Sequence, residues 1–202
     1  MPLALIPSFI FYSIISGITP GPANLCSFSA AIRYGKKAAL RQWRGLFTGY
    51  AVVAFASAFI TYFVGAAFDK FLWLFSAVGF VYIMWLAFHM LTMKIEEGET
   101  RSECSFKDGF IVQITNVKIM IFCLSALGIY VLPYDSSLKA LLLTAVILPF
   151  TGPIANLAWL FAGSLLKSTY EKHQKAWNIA MAVSLMLCAV SILKAGYSSF
   201  PL

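Results

Sequence analysis

No stretch constrains the fold of this chain more than Gly17-Ile18-Thr19-Pro20-Gly21-Pro22-Ala23-Asn24-Leu25. It lies in the middle of an apolar run from about Leu3 to Arg33, long enough to cross a bilayer, which takes roughly 20 apolar residues. Proline cannot donate the helical hydrogen bond and its ring clashes with the preceding turn, while glycine loosens the backbone. A helix over this run must therefore kink or unwind at about mid-depth. Freed backbone groups are costly in lipid, so such a break persists only where it faces protein or a watery cavity. Broken spanning helices build substrate sites in transporters; the plainer alternative is a proline kink that serves packing.

Composition places the whole chain in the membrane. Of 202 residues, 60% are hydrophobic and 11% charged, where a soluble domain carries about 25% charge. The start, Met1-Pro2-Leu3-Ala4-Leu5, lacks a basic segment and no A-x-A-like site follows, so it reads as a retained span and not a signal peptide. Six spans are expected, at about Leu3–Ile32, Gly45–Phe68, Phe71–Met93, Gly109–Leu132, Ala140–Leu166 and Ala176–Ser199. They form one transmembrane domain over residues 1–202.

The net charge of +7 is explained by topology and not by nucleic acid. The odd connectors carry Arg33, Lys36, Lys37, Arg41 and Arg44, then Lys94, Arg101 and Lys107, then Lys167, Lys172 and Lys175; the even connectors carry only Lys70 and Lys139. Basic loop residues stay cytoplasmic, so both termini are expected outside the cytoplasm. The acidic cluster Glu96, Glu97, Glu99 and Glu103 reads as a solvated loop.

Lys118 stands apart. It lies nine residues past Gly109, or roughly 13 Å along a helix, near the middle of a hydrocarbon core about 30 Å thick. No Asp or Glu falls within any span. An intramembrane charge is a functional hypothesis by default; the bland reading is a stem bent back toward the cytoplasm, since helical side chains lean toward the N-terminus. Lys194, near the outer end of span 6, is expected to snorkel.

Two internal echoes appear. Ile18-Thr19-Pro20-Gly21-Pro22 aligns with Ile114-Thr115-Asn116-Val117-Lys118, which with three spans per half suggests inverted repeats around a midplane site. Gly21-Pro22-Ala23-Asn24-Leu25 aligns with Gly152-Pro153-Ile154-Ala155-Asn156-Leu157 and joins spans 1 and 5. Five of the eight prolines lie in those two spans, so helices 1 and 5 are expected to be broken. Val117 supports a continuous fourth helix.

On these residues the chain resembles the LysE/RhtB family of small amino-acid exporters, over nearly its whole length. Many members have Asn-Pro-Lys where this chain has Asn116-Val117-Lys118. Tyr82-Ile83-Met84-Trp85-Leu86-Ala87, Asn116-Val117-Lys118-Ile119 and Val131-Leu132-Pro133 are similar to the branch of cysteine/O-acetylserine exporters. The resemblance implies an all-α bacterial inner-membrane carrier that exports small neutral amino acids or derivatives. Threonine or homoserine export, a channel, or a non-transporting membrane protein are the alternatives.

A free amino acid brings a carboxylate and an ammonium into the membrane. Lys118 supplies positive charge for the carboxylate, and amide protons at the break add donors as half-helix ends do. Thr19, Pro20, Gly21, Pro22, Asn24, Asn116, Lys118 and Asn156 are the expected substrate-binding residues, with Gln113 and Thr115 as weaker candidates. The alternative for each polar one is a helix–helix hydrogen bond, worth about 0.6 kcal/mol in membranes. The lack of membrane acids argues against a side-chain site for the basic group of lysine or arginine, and removes the usual proton carrier. Proton-motive coupling and a homo-oligomer are compatible with the sequence and not specified by it. A membrane enzyme would need a nucleophile with a base, or a metal cluster. His89 and His173 are isolated and Cys26, Cys104, Cys123 and Cys188 form no C-x-x-C pair, so neither enzyme activity nor a cofactor or metal is expected. Trp43, Tyr62 and Trp73 are candidates for interfacial belts.

Overall fold

The computed structural model describes residues 1–64, 68–92 and 105–198. The acidic cluster Glu96, Glu97, Glu99 and Glu103 lies outside them, as do Met93, Lys94, Arg101 and Cys104. Among the described residues the elements are helices: α1 (Ile6–Ile18), α2 (Pro22–Val64), α3 (Phe68–Thr92), α4 (Phe106–Ile114), α5 (Val117–Tyr130), α6 (Leu138–Ile147), α7 (Gly152–Leu165), α8 (Lys167–Lys172) and α9 (Gln174–Ser198). By length and composition three helices are able to cross a membrane, Pro22–Val64, Leu138–Leu165 and Gln174–Lys194, and the bent pair α4–α5 makes a fourth.

The first expected loop is not a loop. Residues 36–44 are helical and continue into the second apolar stretch, so the basic residues there ride on a helix. The turn that separates them from residues 22–34 is made at Gly35 alone (φ 77°, ψ 169°), a region essentially reserved for glycine. Phe28 packs edge-on against Tyr170 and at a tilt against Trp177. Lys36 Nζ lies 4.8 Å from the centre of the Phe161 ring.

Two apolar clusters hold the helices. Phe9 of α1, Tyr50, Val53 and Ala54 of α2, Phe122 and Leu127 of α5 and Leu141 of α6 form one. Phe28 and Ile32 of α2, Ile83 and Ala87 of α3, Tyr170 of α8 and Leu185 of α9 form the other. The helix α2 belongs to both, one cluster on each side of Gly35.

The α2–α4 crossing is backbone against backbone. A methyl group at Gly45 would run into the Phe106 carbonyl, one at Gly109 into the Gln42 carbonyl, and one at Gly49 would lie 2.8 Å from Gln113 Cβ. Small residues at four-residue spacing are how membrane helices gain van der Waals contact where no hydrophobic drive exists. The start of α4 is set by a capping box. Ser105 Oγ accepts from the Asp108 amide at 3.3 Å, and Asp108 Oδ2 accepts from the Ser105 amide at 2.8 Å. This close docking places Gln113 and Asn116 beside α2.

Candidate functional site

The first apolar run is broken where expected. Helix α1 ends at Ile18 and α2 restarts at Pro22, leaving Thr19, Pro20 and Gly21 outside both. The fifth is also irregular: a short 3-10 turn, Leu148–Phe150, separates α6 from α7, with Pro149 in that turn and Pro153 in the first turn of α7.

The fourth run departs from expectation, because it breaks without proline. Helices α4 and α5 meet at 57°. Thr115 and Asn116 supply the break. The Thr115 hydroxyl donates back to the Ile111 carbonyl at 2.8 Å, and Asn116, with φ −78° and ψ 93°, starts α5. Asparagine competes with the helix for backbone partners, which favours caps over helix interiors. The same back-bond occurs in the first break, where Thr19 Oγ1 donates to the Ile15 carbonyl at 2.6 Å. The two Ile-Thr pairs that echo in sequence therefore end two half-helices in the same way.

A broken helix leaves carbonyls without intrahelical partners, and here each receives a side chain. Lys118 Nζ donates to the Ser16 carbonyl at 2.9 Å, to that of Thr19 at 2.6 Å and to that of Pro20 at 3.5 Å. Asn24 Nδ2 donates to the Gly17 and Thr19 carbonyls, both at 2.9 Å. Trp159 Nε1 donates to the Ile18 carbonyl at 2.9 Å. The negative end of the α1 dipole thus meets a buried ammonium, the favourable sign. The Lys118 stem passes over Gly21, where an added Cβ would lie 2.9 Å from Lys118 Cδ.

A second set of bonds ties span 1 to span 5. Asn156 Nδ2 donates to Asn24 Oδ1 at 2.7 Å, and Ser27 Oγ donates to Asn156 Oδ1 at 2.7 Å. The Gly-Pro echo thereby acquires a meaning: both asparagines sit near the starts of helices that restart at Pro22 and Gly152.

The sequence-named residues converge. Gly21, Asn24, Asn116, Lys118 and Asn156 all line one cavity of ≈ 20 Å³. That is room for a water molecule, which needs ≳ 10–15 Å³, and not for an amino acid. Asn116 Oδ1 is buried there with no hydrogen-bond partner. Gln113 also lines it and is 2% exposed. The Thr19 and Thr115 hydroxyls are spent within their own helices. Lys118 Nζ holds backbone carbonyls here.

Larger cavities flank the breaks on opposite sides. One of ≈ 470 Å³ is bounded by α1, α5 and α9, and Ser16, Thr19, Pro20 and Lys118 line it together with Ser125 and Ser191. Another of ≈ 340 Å³ is bounded by α2, α3 and α4, and Pro22, Cys26, Arg33, Gln42, His89 and Thr115 line it. The first touches the half-helices before Thr19 and after Asn116, the second those after Gly21 and before Asn116.

Sequence reasoning missed Trp159 and Ser27, which carry no charge and lie outside both echoes. Trp43, a candidate for an interfacial belt, donates its indole N–H to the Pro153 carbonyl at 2.8 Å. Cys26 Sγ accepts from Gln42 Nε2 at 2.6 Å. His89 stacks on Trp85 with ring centres 5.7 Å apart.

Residues 14–196 match the family described as LysE type translocator. Proteins named cysteine/O-acetylserine efflux protein from Salmonella typhi and from Escherichia coli strain K12 are each 31% identical over 189 residues, covering 93% of this chain and 97% of theirs. No solved structure matches the chain.

Proposed function

The chain belongs to the LysE type translocator family, and on that premise we propose that it is a secondary transporter exporting small neutral amino acids or derivatives resembling cysteine and O-acetylserine. The reading is of a carrier and not an enzyme. Transport runs by alternating access around the three broken helices. The single observation that carries it is Lys118, a buried cation set where the breaks after Ile18 and Ile114 meet.

The two flanking cavities support alternating access. They approach the same breaks from opposite sides, and the ≈ 20 Å³ cavity between them has the character of a closed site. Thr19, Pro20, Gly21, Pro22, Asn24, Asn116, Lys118 and Asn156 bind the substrate, with Lys118 and the amides at the start of α2 meeting its carboxylate. Among the described residues no acidic side chain lines any of the three cavities, which fits a neutral amino acid better than one with a second basic group.

Six spans in two inverted halves belong to the same reading, and the matching Ile-Thr breaks support it. The concentration of basic residues in the odd connectors supports placing those connectors in the cytoplasm of a bacterium, beneath its inner membrane, and both termini away from it. Proton-motive coupling and a homo-oligomer are compatible with this reading.

Counterflow in inverted membrane vesicles tests it. Labelled cysteine, O-acetylserine, threonine and lysine are offered in parallel, with the Lys118→Ala variant as control. Saturable flux of the first two, lost in the variant, is the expected result. Flux of threonine alone replaces the substrate and keeps the carrier; absence of flux for all four overturns the reading.

A further inference from the structure

We propose that the carbonyls of Ser16, Thr19 and Pro20 form the binding site for the substrate's primary ammonium group, and that Lys118 occupies this site only while the carrier is empty. The proposal rests on the transport reading above and gives its site a chemistry.

An ammonium has three N–H donors and no acceptor. Three backbone oxygens converge on Lys118 Nζ, at 2.9, 2.6 and 3.5 Å. They come from the last turn of α1 and the residues after it, where carbonyl dipoles sum to a negative end. Unwound carbonyls and half-helix C-terminal ends are the elements that hold cations in broken-helix transporters. Here the cation is tethered to the chain itself.

The same oxygens are within reach of a substrate. Ser16, Thr19, Pro20 and Lys118 together line the ≈ 470 Å³ cavity, a size within the range of small-molecule sites, about 300–1,000 Å³. Among the described residues no acidic side chain lines that cavity, so the carbonyls at and after the end of α1 are the strongest acceptors these residues offer an incoming ammonium.

Lys118 is also placed to leave. Its stem lies across Gly21, where no Cβ hinders it; one added there would sit 3.2 Å from Nζ. A zwitterion entering the cavity presents a carboxylate to Lys118 and an ammonium to the carbonyls. The lysine turns to the carboxylate, and the substrate's nitrogen replaces it. One ammonium is exchanged for another, so the carbonyls are never left bare in a medium where unpaired polar groups are costly. The zwitterion carries no net charge, so the total charge of the site is unchanged. The ligand class is set accordingly: a free carboxylate beside a primary ammonium.

The test uses purified full-length Lys118→Met, which keeps the volume of the stem and removes the charge. Thermal unfolding is followed while ethylammonium, tetramethylammonium or sodium chloride is titrated at matched ionic strength. The expected result is saturable stabilisation of the variant by ethylammonium, with no such effect from tetramethylammonium, which has no N–H, and none in the wild type. Equal response of variant and wild type, or equal response to the two organic cations, overturns the proposal. The wild type provides a second arm should the variant not fold. O-acetylserine is expected to stabilise it, and the N-trimethyl derivative is not. Equal stabilisation by both overturns the ammonium site. A wild type that responds to no free amino acid overturns the transport reading on which it rests, while the ethylammonium titration of the variant reads the carbonyl site by itself.

Discussion

Asn24 and Asn156 meet amide to amide at 2.7 Å, each near the start of a helix that restarts after an interruption. Through this bond the restart of the first span and the restart of the fifth hold each other in place. Asn24 also reaches back across its own break to the Gly17 and Thr19 carbonyls, so one side chain joins both halves of span 1 to span 5.

Replacing Asn156 with leucine strands Asn24 Oδ1 and the Ser27 hydroxyl. Side-chain hydrogen bonds in membranes average about 0.6 kcal/mol and reach about 1.7, so a loss of roughly 1–2 kcal/mol is expected for the two. A thermal-unfolding double-mutant cycle with Asn24→Leu checks it: the pair is expected to couple, and additive losses would contradict the bond.

Asn116→Ala behaves oppositely. Its buried Oδ1 has no partner, and removing an unsatisfied buried polar group relieves a penalty of about 1–3 kcal/mol. The variant is expected to be at least as stable as wild type while its counterflow falls. A variant less stable than wild type, with flux intact, would show that Asn116 serves the fold alone.

Gly21→Ala is expected to fold and to transport poorly. The new methyl collides with Lys118 Cδ, the middle of a flexible side chain, so the lysine yields and the backbone does not. Losing Lys118 strands carbonyls at on the order of 1–3 kcal/mol each, less the bond to Thr19 that Asn24 retains. Counterflow measured beside folded yield separates the two effects, and undiminished flux sinks the role given to Gly21.

Gly35→Ala and Gly109→Ala separate strain from collision. At Gly35 nothing lies within 4 Å of an added Cβ, so only the positive φ resists, at about 1–3 kcal/mol. At Gly109 the methyl meets backbone that cannot rotate away, and overpacking costs about 1–3 kcal/mol or more. Folded yield in detergent is expected to drop further for Gly109→Ala, and the reverse order would contradict the α2–α4 crossing.

Much of this was legible. Pro20, Gly21 and Pro22 marked the first break because proline's missing donor acts locally and needs no tertiary knowledge. Lys118 was visible as a charge without a place in lipid. Its partner was not, because the acceptors are backbone carbonyls that any residue could offer. The fourth break was not legible for a related reason. Val117 removes the proline signal, and the interruption comes instead from Thr115 and Asn116, whose helix-ending action depends on which side-chain bonds the fold makes available. The helical character of residues 36–44 was hidden by their charge. Charge reports distance from lipid and says nothing of backbone conformation, whereas Gly35, one residue earlier, carries the turn. Trp159 was unreadable, since a tryptophan in an apolar run looks like packing until a bare carbonyl lies beside it.

The crossing of α2 and α4 has a consequence for movement. Where Gly45 and Gly109 let backbone touch backbone, no side chain stands between the helices, so no change of rotamer can widen or narrow the gap. Helices that slide over one another do so on interdigitated side chains; these two have none at the point of contact. The pair behaves as a welded joint, and Gln113, carried on α4, holds its distance from α2 as the rest of the molecule shifts around it.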